Sequence, residues 1–239
     1  MTDPAILLDW DTAFFSKRIG RLLGDRLDDA RAEAALAWCE REQIDCLYFL
    51  AAADDAPTVR SAERHGFSLV DLRVTLDIKL QPGMLVEQHA VREHKERDRA
   101  ALRAIARASY RDSRFYFDPN FPDDDCDRLY ETWIERSCDG WADAVLVSER
   151  NGEVAGYITC HLDPPEEGHI GLLGVDARAQ GHGVGSHLIA GALSWFSARA
   201  VQRVTVATQG RNVRAQRSYQ HQGFRTESVQ LWYHRWFQR

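Results

Sequence analysis

Fifty consecutive residues, 177–226, contain seven arginines and neither Asp nor Glu, and near their start lies the glycine loop Gln180-Gly181-His182-Gly183-Val184-Gly185-Ser186. The whole chain of 239 residues has a net charge of −6, so the residues outside this stretch carry −13. An apolar run, Ile170 to Val175, precedes the loop, and an amphipathic segment follows it. A glycine loop at a helix start, inside an acid-free island, predicts a site for a polyanion. Amides in the first helical turn have no partner within the helix, and the helix dipole favours negative charge there. Glycine lets the backbone approach phosphate oxygens and take up positive φ.

Three kinds of phosphate-binding loop compete for this pattern. A P-loop places Lys and then Ser or Thr after its last glycine, whereas Ser186 and His187 follow Gly185. A dinucleotide loop needs an Asp or Glu roughly 20 residues on to hold a ribose hydroxyl, and the acid-free stretch has none. The third kind is Gln or Arg, two residues, Gly, one residue, then Gly or Ala. Gln180, Gly183 and Gly185 satisfy it, with Gly181 as an extra glycine. A plain glycine turn before a helix is the blander alternative.

Val184, Leu188, Ile189, Ala192, Leu193 and Phe196 recur at helical spacing, which predicts one helix over 183–199 with a single buried face. Residues 203–208 read as a buried strand. Asn212 reads as the N-cap of a second helix reaching about His221, and Gln222-Gly223-Phe224 closes that helix and opens a strand. Within the second helix come Asn212, two residues, Ala215, three residues, and Tyr219. Taken with Gln180, Gly183 and Gly185, this order resembles the acetyl-CoA-binding core of the GCN5-related N-acetyltransferases (GNAT), almost continuously from about residue 143 to 236. The resemblance implies an α/β (α+β) GNAT fold with a mixed central sheet flanked by helices. It also implies acetyl-CoA as co-substrate, no metal, and a pyrophosphate held by Gln180, Gly181, His182, Gly183, Val184, Gly185 and Ser186.

Moving an acyl group from a thioester to an amine requires a neutral amine, a polarised carbonyl and a proton for the leaving thiolate. Tyr219 lies seven residues after Asn212, two helical turns, so both face one side. Its phenol can protonate the departing sulfur as a general acid; the alternative is a Tyr buried at a helix–sheet contact. Strands splay in this family's fold, so the carbonyl oxygen is expected on a main-chain N–H at the end of 170–175, with Leu173 and Val175 as candidates. Asn212 binds the pantetheine arm, caps its helix, or does both.

Charged and apolar fractions of 28% and 44% are those of a soluble globular chain, and the acidic balance argues against wholesale nucleic-acid binding. Five cysteines, an odd number without a Cys-x-x-Cys pair, predict reduced thiols in a cytoplasmic protein and no zinc cluster. No basic and apolar leader follows Met1, and no apolar run approaches the roughly 20 residues of a membrane span. His182 and His187, five apart, miss a common helix face and read as surface groups.

The first 80 residues read as a separate small α/β domain. Ile6-Leu7-Leu8 suggests a strand, Asp28 caps a helix with Ala32, Leu36 and Cys39 inward, 46–50 is a buried strand, and a helix leads through Gly66-Phe67 into a strand over 68–79. Val59-Arg60 precedes Gly66-Phe67 much as Val213-Arg214 precedes Gly223-Phe224, so the unit resembles a degenerate half of the same fold without the coenzyme loop. Gln81-Pro82-Gly83 separates it from the catalytic domain, 84–239.

In that domain Val86 to Val91 is expected as the first strand, and 99–109 as a helix with Leu102, Ile105 and Ala106 inward. Tyr110 to Phe117 is dense in arginine and aromatics. Arg111 and Arg114 offer forks for phosphate and Phe115 a face for a base or sugar, or the stretch is a half-buried aromatic loop. Asp118 and Asp123-Asp124-Asp125 lack the spacing of a Ca²⁺ loop and read as a solvated loop capping a helix over 126–136.

Asp9-Trp10-Asp11-Thr12-Ala13-Phe14-Phe15, Gly66-Phe67-Ser68-Leu69-Val70, Ser113-Arg114-Phe115, Ile170-Gly171-Leu172-Leu173 and Val206-Ala207-Thr208-Gln209 are similar to the branch of that family that acetylates TDP-4-amino-4,6-dideoxyhexoses for cell-surface polysaccharide. The resemblance implies a nucleotide-linked amino sugar as partner, a homodimer, Tyr219 as general acid, and Asp71 as a carboxylate that takes the amine proton through water. A strand-edge charge in solvent is the alternative for Asp71. Another small amine, a peptide amine, or a non-catalytic acyl-CoA sensor remain as rival readings.

Overall fold

The computed structural model describes residues 3–80, 91–163 and 165–238. Strand and helix alternate at the start: β1 (Ala5–Leu7), α1 (Asp9–Phe15), β2 (Ile19–Leu22), α2 (Asp29–Arg41), β3 (Cys46–Ala52), α3 (Ala56–Arg64) and β4 (Ser68–Lys79). The expected β-α-β-α-β run therefore gains a helix and a strand, α1 and β2. At seven and four residues they are too short for periodicity to announce them. Asp28 caps α2 by accepting the Arg31 amide at 2.8 Å, and Asp55 caps α3 through the Thr58 amide at 3.1 Å; such caps contribute about 1 kcal/mol each. Ala32, Ala35, Trp38 and Cys39 form the buried stripe of α2, whereas Leu36 is only half-buried.

Next come β5 (Val91–Glu93), α4 (Arg99–Ala108), α5 (Arg114–Phe117), α6 (Asp123–Arg136), β6 (Ala144–Arg150), β7 (Glu153–Asp163), β8 (Glu167–Val175), α7 (Val184–Ser197), β9 (Arg203–Gln209), α8 (Val213–His221) and β10 (Arg225–Trp236). The expected break at 81–83, and all of the expected strand 86–91 except Val91, lie outside the described residues. The three aspartates at 123–125 do not form a loop: they are the first turn of α6, which follows Pro122. Carboxylates are favourable at that end of a helix dipole.

Chain contacts define two compact units. The first takes the chain up to Arg73, Gln209–Arg211 and the chain from Val229; the second takes Val74–Thr208 and Asn212–Ser228. In the first unit the strand order is β1-β2-β3-β10, with β2 and β3 parallel and the other pairs antiparallel. Its core gathers Leu22, Trp38, Ile44, Phe49, Phe67 and Tyr233. The strand order of the second is β4-β9-β8-β7-β6-β5; β8 and β9 are parallel, while β5 to β8 form an antiparallel run. Leu188, Ile189, Leu193 and Phe196 of α7 fill its core against Ile158, Ile170, Val204 and Val206.

The echo between the two ends of the chain extends to hydrogen bonds. Gly66 and Gly223 both have positive φ, at 74° and 92°. The Phe67 amide donates to Ala62 O at 3.0 Å, and the Phe224 amide donates to Tyr219 O at 3.1 Å. Each pair has the long bond of a glycine-terminated helix. Ala62 thus occupies in α3 the place that Tyr219 occupies in α8.

Candidate active site

The parallel ladder between β8 and β9 stops at Ile170 and Val206, although both strands continue, to Val175 and Gln209. On its other side β8 stays paired with β7, but with a bulge. Cys160 faces Ile170 and Ile158 faces Leu173, so Gly171 and Leu172 together oppose Thr159. The Leu172 amide bonds to Thr159 Oγ1 at 2.8 Å. Beyond the bulge the Asp176 amide bonds to Ala155 O at 2.9 Å. By the alternation of an antiparallel ladder, the amides of Leu173 and Val175 then point away from β7, towards the side where β9 has diverged. Both expected amides thus lie on the parted edge.

The glycine loop closes on this edge. Gln180 Nε2 donates to Val175 O at 3.4 Å, and Arg214 Nη1 donates to Gln180 Oε1 at 2.6 Å, tying β8, the loop and α8 together. Gly181 and Gly183 both have φ of 79°, and Gly183 is the N-cap of α7. The first helical bond of α7 runs from the His187 amide to Gly183 O, so helix geometry leaves the amides of Val184, Gly185 and Ser186 without intrahelical acceptors. A Cβ on Gly181 would meet nothing within 4 Å, and one on Gly185 only Val175 Cγ2 at 3.8 Å. No acidic side chain occupies the first turn of α7. The geometry fits a diphosphate. His182 and Ser186 flank it, with the His182 ring on Gln180 O at 3.0 Å.

The surrounding arginines are less uniform than their sequence suggests. Arg178 pairs with Asp176, Arg203 with Asp77, Glu167 and Glu227, and Arg211 with Asp71. Acids at its borders, Asp176 and Glu227, and others distant in sequence, Asp71 and Asp77, neutralise part of the island.

Asn212 caps α8 by accepting the Ala215 amide at 3.0 Å. Tyr219 is buried in the hydrophobic cluster against which the side chains of Leu173, Val175 and Ala215 also pack, with its ring edge-on to Phe224 at 5.5 Å. Burial pushes its phenol well above the usual range, so it is held as an acid. Further phenols lie near it. Tyr110 Oη and Tyr157 Oη are 2.9 Å apart, and Tyr110 stacks on Tyr130 at 4.4 Å. Tyr110 is raised by burial first, then by Tyr157, Tyr130 and Tyr219. Its φ of 60° is unusual for an aromatic residue.

Other expected residues are already engaged. Arg111 pairs with Asp127 at 3.0 Å and lies over the Tyr116 ring. Phe115 is buried between Phe121 and Trp133, with Arg114 across its face at 4.2 Å. Asp71 is not a solvated edge charge: it is 4% exposed, accepts the Leu72 amide at 2.8 Å and lies 3.8 Å from Arg211, whose guanidinium also donates to Val70 O.

One set of residues was not anticipated. Tyr157, Thr159 and His161 alternate on one face of β7, all buried. Their period of two was present in the sequence, yet inside a strand dominated by apolar residues it gave no separate signal.

A strand edge opened beside a bulge, a glycine-capped helix start and a buried phenol on the helix that follows are the arrangement of an acetyltransferase of the GNAT type. The chain belongs to the acetyltransferase (GNAT) family, whose model matches residues 101–224; this family uses acetyl-CoA. It is 31% identical over 232 residues to the dTDP-fucosamine acetyltransferase of Escherichia coli O6:H1, covering 95% of this chain and 96% of that one. It is 32% identical over 139 residues to the spore coat polysaccharide biosynthesis protein SpsD of Bacillus subtilis, 58% of this chain and 48% of that protein, so it spans about half of that relative's length. A solved structure of a functionally unknown protein from Staphylococcus epidermidis matches with a TM-score of 0.70 at 13% identity, covering 98% and 92% of the two chains. A GCN5-related N-acetyltransferase from Sphaerobacter thermophilus matches with a TM-score of 0.67 at 15% identity, covering 97% and 76%. Those two likenesses concern the fold alone. Among the described residues no helix is long and apolar enough to cross a membrane, and no group of His, Cys, Asp or Glu is arranged to hold a metal.

Proposed function

We propose that this enzyme transfers the acetyl group of acetyl-CoA directly to the amine of a nucleotide-linked amino sugar, a TDP-4-amino-4,6-dideoxyhexose, with Tyr219 as the general acid. The observation that carries the chemistry is the shared burial of Tyr219 with Leu173 and Val175 beside the parted strand edge. Support for the acceptor comes from the relative named dTDP-fucosamine acetyltransferase, which is similar over nearly the full length of both chains.

In this reading the amides of Val184, Gly185 and Ser186 hold the pyrophosphate, and Gln180 fixes the loop to β8. Asn212 orders the first turn of α8 and borders the pantetheine arm. The Leu173 amide polarises the thioester carbonyl, with Val175 next to it, and the sugar amine attacks. Tyr219 gives its proton to sulfur. Positioning and main-chain polarisation supply most of the acceleration. Direct transfer needs no acyl-carrying thiol: Cys39, Cys46, Cys126 and Cys160 are buried, and burial pushes Cys126 up to about 12 and Cys138 up to about 11, far from the thiolate form. On the acceptor side, Arg114 and Arg111 meet the sugar's phosphates, and Phe115 acts by holding Arg114 rather than by stacking. In this reading 84–239 is the catalytic domain, 1–80 is a smaller domain resembling a degenerate half of the same fold, and the cytoplasm is the site of action; the compact units depart from those bounds, since Gln209–Arg211 and the chain from Val229 group with the first.

Thiol release from acetyl-CoA tests the reading against TDP-4-amino-4,6-dideoxyhexoses, other UDP- and TDP-linked amino sugars, free glucosamine and amine-bearing peptides. Release with the nucleotide sugars is expected. Release only with peptides removes the sugar, and coenzyme binding without release to any amine leaves an acyl-CoA sensor.

A further inference from the structure

Tyr110 and Tyr157 bring two phenols together with one hydrogen bond between them. Their oxygens are 2.9 Å apart, and either can donate. Each phenol has one proton to give. Whichever gives its proton to the other, one hydroxyl proton of the pair is left over, and no acceptor for it lies among the described residues. Tyr157 is fully buried, and burial holds both phenols above the usual range, so both keep their protons. A buried donor without an acceptor is costly, and a bound carbonyl removes that cost.

The backbone fixes where this proton is. Tyr157 and Gly174 are register partners on β7 and β8. Cε1 and Cζ of the Tyr157 ring lie 2.8 and 3.0 Å from the point that a Cβ on Gly174 would take, with Ile105 of α4 packed beside them. The outer half of the ring therefore rests directly on Gly174, and the ring reaches from β7 across β8. Its hydroxyl, one bond beyond Cζ, is carried towards the edge from which β9 has parted. Gly174 lies between Leu173 and Val175, whose amides point to that edge. Their side chains take the opposite face of β8, in the cluster that holds Tyr219.

We propose that Tyr157 is a catalytic residue that donates its free hydroxyl proton in a hydrogen bond to the thioester carbonyl oxygen, beside the Leu173 amide, and that Tyr110 is a positioning residue that donates to Tyr157 Oη. The inference rests on the proposed placement of that carbonyl at β8, and not on which amine attacks. When the amine attacks, the C–N bond forms and the carbonyl electron pair moves onto oxygen, where the amide and the phenol meet the new negative charge. That pair re-forms the carbonyl as the C–S bond breaks. Sulfur takes the Tyr219 proton, water carries the surplus amine proton back to Tyr219, and Tyr157 keeps its own throughout. The two phenols divide the work, one as acid for sulfur and one as donor to oxygen. Tyr219 is close enough to Tyr110 to raise it electrostatically, which fits two phenols serving one thioester.

Infrared difference spectra of acetyl-CoA carrying ¹³C at the thioester carbonyl, bound to the full chain without any acceptor, test this assignment. The native band is expected below that of free acetyl-CoA. Tyr157→Phe should move it back towards the free value, and Tyr110→Phe should move it back by less. The Kd of coenzyme A, which has no thioester carbonyl, should stay within about threefold in both variants. With an amine that turns over, Tyr157→Phe should lower kcat about 100-fold or more, the loss expected for one oxyanion donor. A native band that Tyr157→Phe leaves in place overturns the proposal, as does a band moved by Tyr110→Phe alone. If Tyr157→Phe does not fold, replacement of Tyr157 by 3-fluorotyrosine, a stronger donor of nearly the same shape, must lower the band further, and a fixed band overturns the proposal. Failure of the wider reading looks different. A native band that coincides with that of free acetyl-CoA removes the Leu173 amide together with the phenol. A lowered band that responds to Tyr157→Phe upholds the phenol even if no amine releases thiol.

Discussion

Thr159 Oγ1 accepts the amide proton of Leu172 at 2.8 Å, so a side chain of β7 completes the hydrogen bonding that the bulge in β8 interrupts. Both residues are buried, and the bond holds the bulge in one geometry. Thr159→Val keeps the shape and leaves the Leu172 amide without an acceptor. A loss of about 1–3 kcal/mol is expected for such a buried donor, read from the denaturant midpoint, and Thr159→Ser should restore most of it. Equal stability of the Val and Ser variants would show that the bulge stands without the bond.

Tyr219→Phe should lower kcat about 100-fold or more while coenzyme Kd stays within threefold, because the general-acid contribution is lost and the ring packing against Phe224 is kept. The pH dependence carries a sign. Tyr219 must be protonated to act, and burial holds its phenol above the usual value near 10. No loss of kcat attributable to this group should appear as pH rises to 10. An unchanged kcat in the Phe variant removes the acid assignment.

Gly183 stands at φ 79° at the start of α7, and Gly152 at φ 81° in the turn between β6 and β7. Alanine at either position incurs a comparable backbone penalty of about 1 kcal/mol. Only Gly183→Ala alters amides assigned to the pyrophosphate, so coenzyme affinity should fall at least tenfold there and remain unchanged in Gly152→Ala. Calorimetric titration of both variants with coenzyme A compares them. Equal affinities would move the diphosphate elsewhere.

Arg92 grips the buried Asp98 through two nitrogens, at 2.7 and 3.1 Å, and also contacts Glu149. The Arg92 hydrogen bonds, aided by the Lys95 amide, hold the Asp98 carboxyl below its usual value against the opposing effect of burial. A depressed carboxylate contributes stability that is present above its unfolded pKa, near 4, and is lost as pH falls through the folded value. Asp98→Asn should therefore lower Tm at pH 7, and its difference from the native chain should shrink towards pH 3. A difference independent of pH would contradict the linkage.

The coenzyme side of the fold was legible because its signals are local. Val184 to Phe196 announced α7 by period, Asn212 announced α8 by its cap, and 68–79 announced β4 to the residue. Shorter or borrowed features escaped. α1 and β2 hold too few residues to show a period, and the Asp123 to Asp125 segment is the first turn of α6, where the helix dipole favours carboxylates. Charge was the least local property: Asp77, one partner of Arg203, and Asp71, the partner of Arg211, lie more than a hundred residues away. The contact of Thr159 with the Leu172 amide depends on a register shift between β7 and β8, and pairing geometry of that kind is not written in either strand alone.

Leu173 and Val175 offer their backbones, not their side chains, to the parted edge of β8. Exchanging either for another amino acid with a free N–H leaves that hydrogen in place, and only an imino acid deletes it. Under the roles proposed for these two amides, genetic drift can rework the walls around an incoming amine, and with them acceptor preference, while the carbonyl-polarising hydrogens are inherited intact.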